Sequence, residues 1–245
     1  MIFQKEGLQL PKEVFPCPIV ETVCEVRFEP HIPLDAVFGA AYAKLAPIVG
    51  NALRLPVLML PPEVREHDPN LRFQPHYRFK KDNYSIQLGP RMFSVTSRTP
   101  YPGWPRFSEM VKAPIEALKN AGVIGSVVRL GLRYINFIDG NVFDKIDVEL
   151  RVNSTPVSAK ETSLALVVEH RYTHLVRIRK DVMVKTGPEN KSQFGSVIDI
   201  DSFITNPQNG LNSFGQFLQD AHDDEKMIFF GMLKTEFLRK LNPKY

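Results

Sequence analysis

Arg129, Gly131 and Arg133 stand at alternate positions of one apolar run, and they are the first residues here whose types and spacing suit a chemical task. On a strand they share a face, and the missing side chain between them would let an anionic ligand or a phosphate backbone approach two guanidinium forks. The competing reading pairs both arginines with Glu21 and Glu25 of a neighbouring strand, as a solvated lattice of ion pairs worth little individually. A broader basic surface would form if Arg72, Arg78 and Lys80 came near Arg177, Arg179 and Lys180, with His76 and aromatic side chains interleaved to stack on bases. The plainer account is that the solvated face of an antiparallel sheet carries charge in any case.

Asp199 and Asp201 place two carboxylates on one strand face, roughly 6.6 Å apart by strand rise, so a divalent ion would need a third ligand. Asp220, Asp223 and Asp224 are the available donors, and the alternative is a solvated strand edge. His170 and His174 have the HxxxH spacing, which converges on one metal when both lie on one helix. Here they flank Arg171-Tyr172-Thr173, which reads as strand or turn, so no metal is expected of them. His222 would suit a ligand or a general base, yet no second His-Asp pair completes a phosphohydrolase pattern, and a packed or surface helix histidine is the simpler reading. The chain has no P-loop, no GxGxxG after a strand, no GxSxG elbow and no HExxH, so no cofactor is expected and the common enzyme classes are removed.

Positioning these residues falls to an α+β chain built on antiparallel sheet. Residues 18–28 alternate Val20, Cys24, Val26 and Phe28 against Glu21, Glu25 and Arg27, which predicts a strand with one buried and one charged face. Asp35 opens a helix to Val49, where Phe38, Tyr42, Leu45 and Val49 recur at helical spacing before Gly50. Five prolines between Leu55 and Pro75 predict a long connecting loop. Residues 73–80, 84–88 and 92–97 read as a three-stranded meander turning at Lys81-Asp82-Asn83 and Gly89-Pro90. Trp104, between Pro102 and Pro105, leads into a helix over 107–121.

The longest strand is expected at 126–139, with Val128, Leu130, Leu132, Tyr134 and Ile138 opposite the arginines. Further strands are expected at 146–152, 163–171, 173–179, 182–185 and 196–203, and a final helix from about Ser213 to Leu241. Helices should pack on one side of the sheet. Residues 1–245 are read as a single domain divisible into halves 1–122 and 123–245, because the connection between them is too short for a linker.

Pro18-Ile-Val-Glu21 with Glu25-Val-Arg-Phe28, Arg129-Leu-Gly-Leu-Arg-Tyr-Ile-Asn136, and Ala221-His222 followed by Phe229 and Thr235 make the chain resemble a sporadically distributed bacterial family of uncharacterised proteins of similar length. The resemblance implies an accessory-genome protein, of the kind found in defence or toxin–antitoxin systems rather than in metabolism.

With 245 residues, 43% of them hydrophobic, the chain can bury a sizeable core. A net charge of +4 permits a nucleic-acid partner without demanding one. The two cysteines, Cys17 and Cys24, are too few for a disulfide framework and too far apart for a CxxC pair. No apolar run approaches membrane-spanning length and residues 1–6 lack a secretory pattern, so a cytoplasmic location is expected. The expected role is non-catalytic: binding or regulation through a protein partner, with Arg129, Arg133, Arg177, Arg179 and His222 as the contact residues. A nucleic-acid binder using the same arginines, and a divalent-metal hydrolase centred on Asp199 and Asp201, are the alternatives.

Overall fold

Strand alternation in the first segment does what its chemistry requires: Thr22, Cys24, Val26 and Phe28 of β1 (Ile19–Pro30) are buried, while Glu21, Glu25 and Arg27 point to the other face. The computed structural model describes residues 3, 5, 7–81, 84–149, 151–156, 163–186 and 191–245. After β1 come α1 (Leu34–Val49), β2 (Ala52–Arg54), α2 (Pro62–His67), β3 (Tyr77–Lys81), β4 (Tyr84–Leu88), β5 (Met92–Arg98) and α3 (Trp104–Asn120). The second half holds β6 (Ile124–Asp139), the small pair β7 (Arg151–Val152) and β8 (Thr155–Pro156), β9 (Ser163–Glu169), β10 (Thr173–Thr186), β11 (Lys191–Thr205), α4 (Phe214–Met232) and α5 (Thr235–Lys240).

Nine strands form one antiparallel sheet in the order β2-β3-β4-β5-β1-β6-β11-β10-β9. The first strand of each half lies at the centre, and β5, β4 and β3 on one side answer β11, β10 and β9 on the other. Two apolar clusters stabilise it. In the first, Cys24, Val26, Phe28, Phe93, Leu130 and Leu132 pack against Val37, Ala41 and Leu45 of α1, Phe107 and Val111 of α3, and Phe214, Phe217 and Leu218 of α4. The second sets Ile138, Val176, Ile178, Ile198 and Ile200 against Ile228, Phe229 and Met232 of α4 and Leu238 of α5. Each fully buried large side chain contributes about 1.5–3 kcal/mol relative to exposure.

Several expected elements differ. Instead of one helix to Leu241, the chain leaves the helix at Leu233 and Lys234, both extended, and restarts at Thr235. The cause is tertiary: Lys145–Asp147 pairs its backbone with this break, through Asp147 N–H to Met232 O and Lys234 N–H to Lys145 O. The same pairing replaces most of the strand expected at 146–152, leaving Ile146 bridged to Leu233. The proline-rich stretch is not loop throughout, because prolines start a 3-10 turn at Pro56–Met59 and the short α2. The strands expected at 173–179 and 182–185 are one strand, β10, joined through a bulge where Asp181 takes φ 57°. Trp104 begins α3 rather than preceding it. Residues 82 and 83 of the expected hairpin turn, and residues 1, 2, 4 and 6 of the N-terminal stretch, lie outside the described residues. Among the described residues, no helix is long and apolar enough to cross a membrane.

Candidate functional site

Two arrangements concentrate the polar side chains, one on each face of the sheet. On the face away from α1, α3 and α4, the register places Gly131 between Glu25 and Phe203, and Ile135 between Glu21 and Asp199, with Asp199 facing Arg177 across the next pair. Arg129 donates to Glu25 Oε1 at 2.9 Å and to Asp201 Oδ1 at 2.6 Å, and its guanidinium lies 4.6 Å from the Phe203 ring centre. A Cβ at residue 131 would collide with that guanidinium, so the glycine makes room for Arg129 itself. Arg133 forms a fork on Asp199, Nε to Oδ1 and Nη2 to Oδ2, both at 2.7 Å. Asp199 is only 1% exposed, and Arg177 Nη1 stands 3.7 Å from its Oδ2. The Asp199 hydrogen bond raises the Arg133 pKa, against a smaller opposing effect of burial.

The structure therefore brings Arg129, Arg133 and Arg177 together with Asp199 and Asp201, and it sets every one of these groups in an ion pair. Of the two partners expected for the arginines, Glu25 is one, while Arg133 turns to Asp199 on β11. Arg179 is exposed one pair further along β10, opposite Val197 and Ser163. The wider basic surface does not assemble: β3 and β10 are separated by five strands, a span of roughly 29 Å at the usual strand spacing. His222 lies on the helix side of the sheet, away from the arginines.

That helix side holds the second arrangement. α4 is apolar at Phe214, Phe217, Leu218 and Ala221 and again at Ile228, Phe229 and Met232, and these turns belong to the two different core clusters. Between them runs His222-Asp-Asp-Glu225, which lays a polar seam where the clusters meet. His222 stacks on Trp104 with ring centroids 3.8 Å apart and planes 5° apart, and its Nδ1 is 3.0 Å from the Tyr134 hydroxyl. Tyr134 in turn lies 3.2 Å from the Tyr101 hydroxyl. Burial, assisted by Lys226, pushes the His222 pKa down to about 3, so the ring is neutral. Glu225 is 2% exposed and neither oxygen has a partner in hydrogen-bonding geometry. Burial raises its pKa well above the usual carboxylate range, and the nearby Ser202 offsets only part of that.

The β9–β10 hairpin is fastened to the seam over two successive turns of α4. Asp220 accepts from Arg171 at 2.7 Å and from the Tyr172 hydroxyl at 3.1 Å, and Tyr172 sets its ring edge-on to Phe217. One turn later, Asp224 Oδ2 lies 3.5 Å from His174 Nε2 and 3.8 Å from His170 Nδ1, and the three atoms fall within 4.8 Å of one another. His174 has no exposed surface, and its Nδ1 is 2.7 Å from Ser202 Oγ. Burial lowers its pKa, with Asp224 pulling the other way. Among the described residues, these three are the ones whose donor atoms could hold a metal. The HxxxH spacing drew attention to both histidines, but a helix is not what converges them: His174 pairs with Val168, His170 follows Glu169, and the tight turn brings both toward one side. Asp220 and Asp224 face this hairpin instead of Asp199 and Asp201, and Asp223 accepts from Gln219.

Two cavities, of about 270 and 480 Å³, lie elsewhere. The first sits between Phe38, Arg65, His76 and Tyr77, the second between Lys119, Ser126 and Asn206. No protein-family model matches the chain, and no curated protein matches it either.

Proposed function

We propose that this is a non-catalytic binding protein that receives a protein partner on the face of the sheet opposite its helices. The observation that carries the reading is ion pairing within the face. Arg129 is paired with Glu25 and Asp201, and Arg133 and Arg177 share Asp199. A phosphate backbone is held by cations that release counterions on contact, and guanidiniums already committed to carboxylates gain little from it. Around the pairs lie half-buried Val23, Ile135, Phe137, Leu175 and Phe203, with exposed Val167 beside Leu175 on β9. Apolar side chains interspersed with satisfied polar groups suit the core and rim of a protein interface. α1, α3 and α4 pack their apolar side chains against the other face, and the family resemblance directs the choice of partner to proteins encoded nearby in a bacterial accessory genome.

The test is a pull-down at native expression level, run with wild type, with Val167→Asp/Leu175→Asp on the open face, and with Glu116→Arg on the exposed side of α3. One partner retained by wild type and the α3 variant and lost by the open-face variant is the expected result. Equal recovery by all three, or turnover of a nucleotide or ester with no partner recovered, refutes the proposal. Salt-sensitive nucleic-acid binding abolished by Arg177→Ala would refute it in favour of a nucleic-acid ligand.

A further inference from the structure

We propose that His170 Nδ1, His174 Nε2 and Asp224 Oδ2 bind one divalent transition-metal ion of the zinc class, a function separate from partner docking on the opposite face.

The separations are the first argument. His174 Nε2 and His170 Nδ1 stand 3.5 and 3.8 Å from Asp224 Oδ2. Both distances are at or beyond the limit of a hydrogen bond. Two ligand atoms on one tetrahedral zinc are roughly 3.4 Å apart, given its usual bond lengths. Both separations are close to that span, and the donor atoms of all three residues lie within 4.8 Å of one another.

Burial is the second argument. His174 is 0% and Asp224 7% exposed, yet His174 Nε2 and Asp224 Oδ2 both lack a hydrogen-bond partner. Polar atoms removed from water are almost always paired, and two bare atoms aimed at one point mark a place where something binds. When His174 donates its Nδ1 proton to Ser202 Oγ, the Nε2 lone pair is directed at the carboxylate. Two electron-rich atoms face to face repel unless a proton or a metal ion lies between them. In that tautomer Ser202 is the outer partner that holds the ring, as is usual for ligating histidines.

The third argument is preorganisation. The Arg171 and Tyr172 contacts to Asp220 clamp the hairpin on the turn of α4 before Asp224, so the donors are positioned by two elements already joined. His170 is 45% exposed, which gives an ion a route in and leaves further coordination positions to water. Two imidazoles and one carboxylate favour zinc, cobalt or nickel over the oxygen-seeking calcium and magnesium.

The experiment uses the full chain, stripped with chelator and dialysed, titrated with Zn²⁺ by calorimetry and with Co²⁺ by visible absorption. One ion per chain is expected, with Co²⁺ ligand-field bands of low coordination number that Zn²⁺ displaces. His170→Ala, an exposed position that leaves folding intact by circular dichroism, and the same-sized Asp224→Asn should each weaken binding at least tenfold. Ser202→Ala should weaken it roughly 10–100-fold. Asp223→Asn, beside the site but bonded to Gln219, should bind as wild type. Zn²⁺ should raise the melting temperature of wild type and not of His170→Ala. Absence of stoichiometric binding by wild type overturns the proposal, as does wild-type affinity in both His170→Ala and Asp224→Asn.

Discussion

Breaking the fork between Arg133 and Asp199 measures whether the charges of the open face are a built network or surface decoration. Arg133→Met keeps an aliphatic stem of similar length and removes the guanidinium, stranding a carboxylate that is 1% exposed. Arg177 is then its nearest cation, 3.7 Å away and outside hydrogen-bonding geometry. Orphaning one member of a buried pair costs about 3–5 kcal/mol. Arg133 itself is 38% exposed, so water reaches one side of the pair and the expected loss falls to about 2–4 kcal/mol. Asp199→Asn should be milder, about 1–2 kcal/mol, because the freed guanidinium can turn to solvent.

The double variant decides the matter. With neither charge left to strand, it should lose less than the two single losses added together, a coupling of about 2 kcal/mol. Urea unfolding reads this directly: with a slope of about 3 kcal/mol/M for a chain of this size, Arg133→Met should move the midpoint down by about 1 M. A coupling under about 0.5 kcal/mol would mean a solvated pair of the ordinary surface kind, and the reasoning from burial would be wrong.

Gly131→Ala should destabilise by about 1–3 kcal/mol in the same urea assay, since the added Cβ meets the Arg129 guanidinium and displaces it from Glu25, Asp201 and Phe203; an unchanged midpoint would show that Arg129 does not need that space. Tyr134→Phe, followed by the fluorescence of the single tryptophan, should cost about 1–2 kcal/mol, because it leaves His222 Nδ1 unpaired beside Trp104. His76 has its pKa lowered to about 4, by burial first and by Arg65 second, while the unfolded chain titrates near the ordinary histidine value of about 6.5. The unfolded state takes up the proton first, so stability is full above about pH 6.5 and declines as pH falls toward 4. Allowing for solvent around the half-buried ring, wild type should lose about 1–2 kcal/mol relative to His76→Gln over that range, and parallel pH profiles would refute the assignment.

Period-two alternation made the sheet legible, because an antiparallel sheet packed on one face must sort its residues. Cys24, Val26 and Phe28 separate from Glu21, Glu25 and Arg27 in the sequence as they do in the fold. Strand order is a different kind of information. That Arg133 meets Asp199 depends on β6 lying between β1 and β11, which no local pattern encodes. The break at Leu233 and Lys234 was hidden for the same reason, since the helical periodicity on either side is intact and only the pairing with Lys145–Asp147 interrupts it. The two histidines were visible as a spacing and misleading as a motif, because HxxxH converges on a helix and here a hairpin turn substitutes for one.

The polar seam follows from what α4 has to do. A helix that serves two apolar clusters must present buried side chains along most of its length, and the cheapest sequence would be apolar throughout. This one places His222, Asp224 and Glu225 at the junction, all 9% exposed or less. Ordinary surface solvation cannot explain ionisable side chains at that depth, and neither can stability, since a buried carboxyl without partners weakens a core. On the sheet side polar neighbours stand near them: Tyr134 reaches His222, and Ser202 contacts His174 and offsets part of the rise that burial imposes on the Glu225 pKa. Polar groups from three strands and one helix meet inside the protein. Sequences depart from good packing mainly where they use the departure, and the metal site proposed at the solvent end of this seam would be such a use.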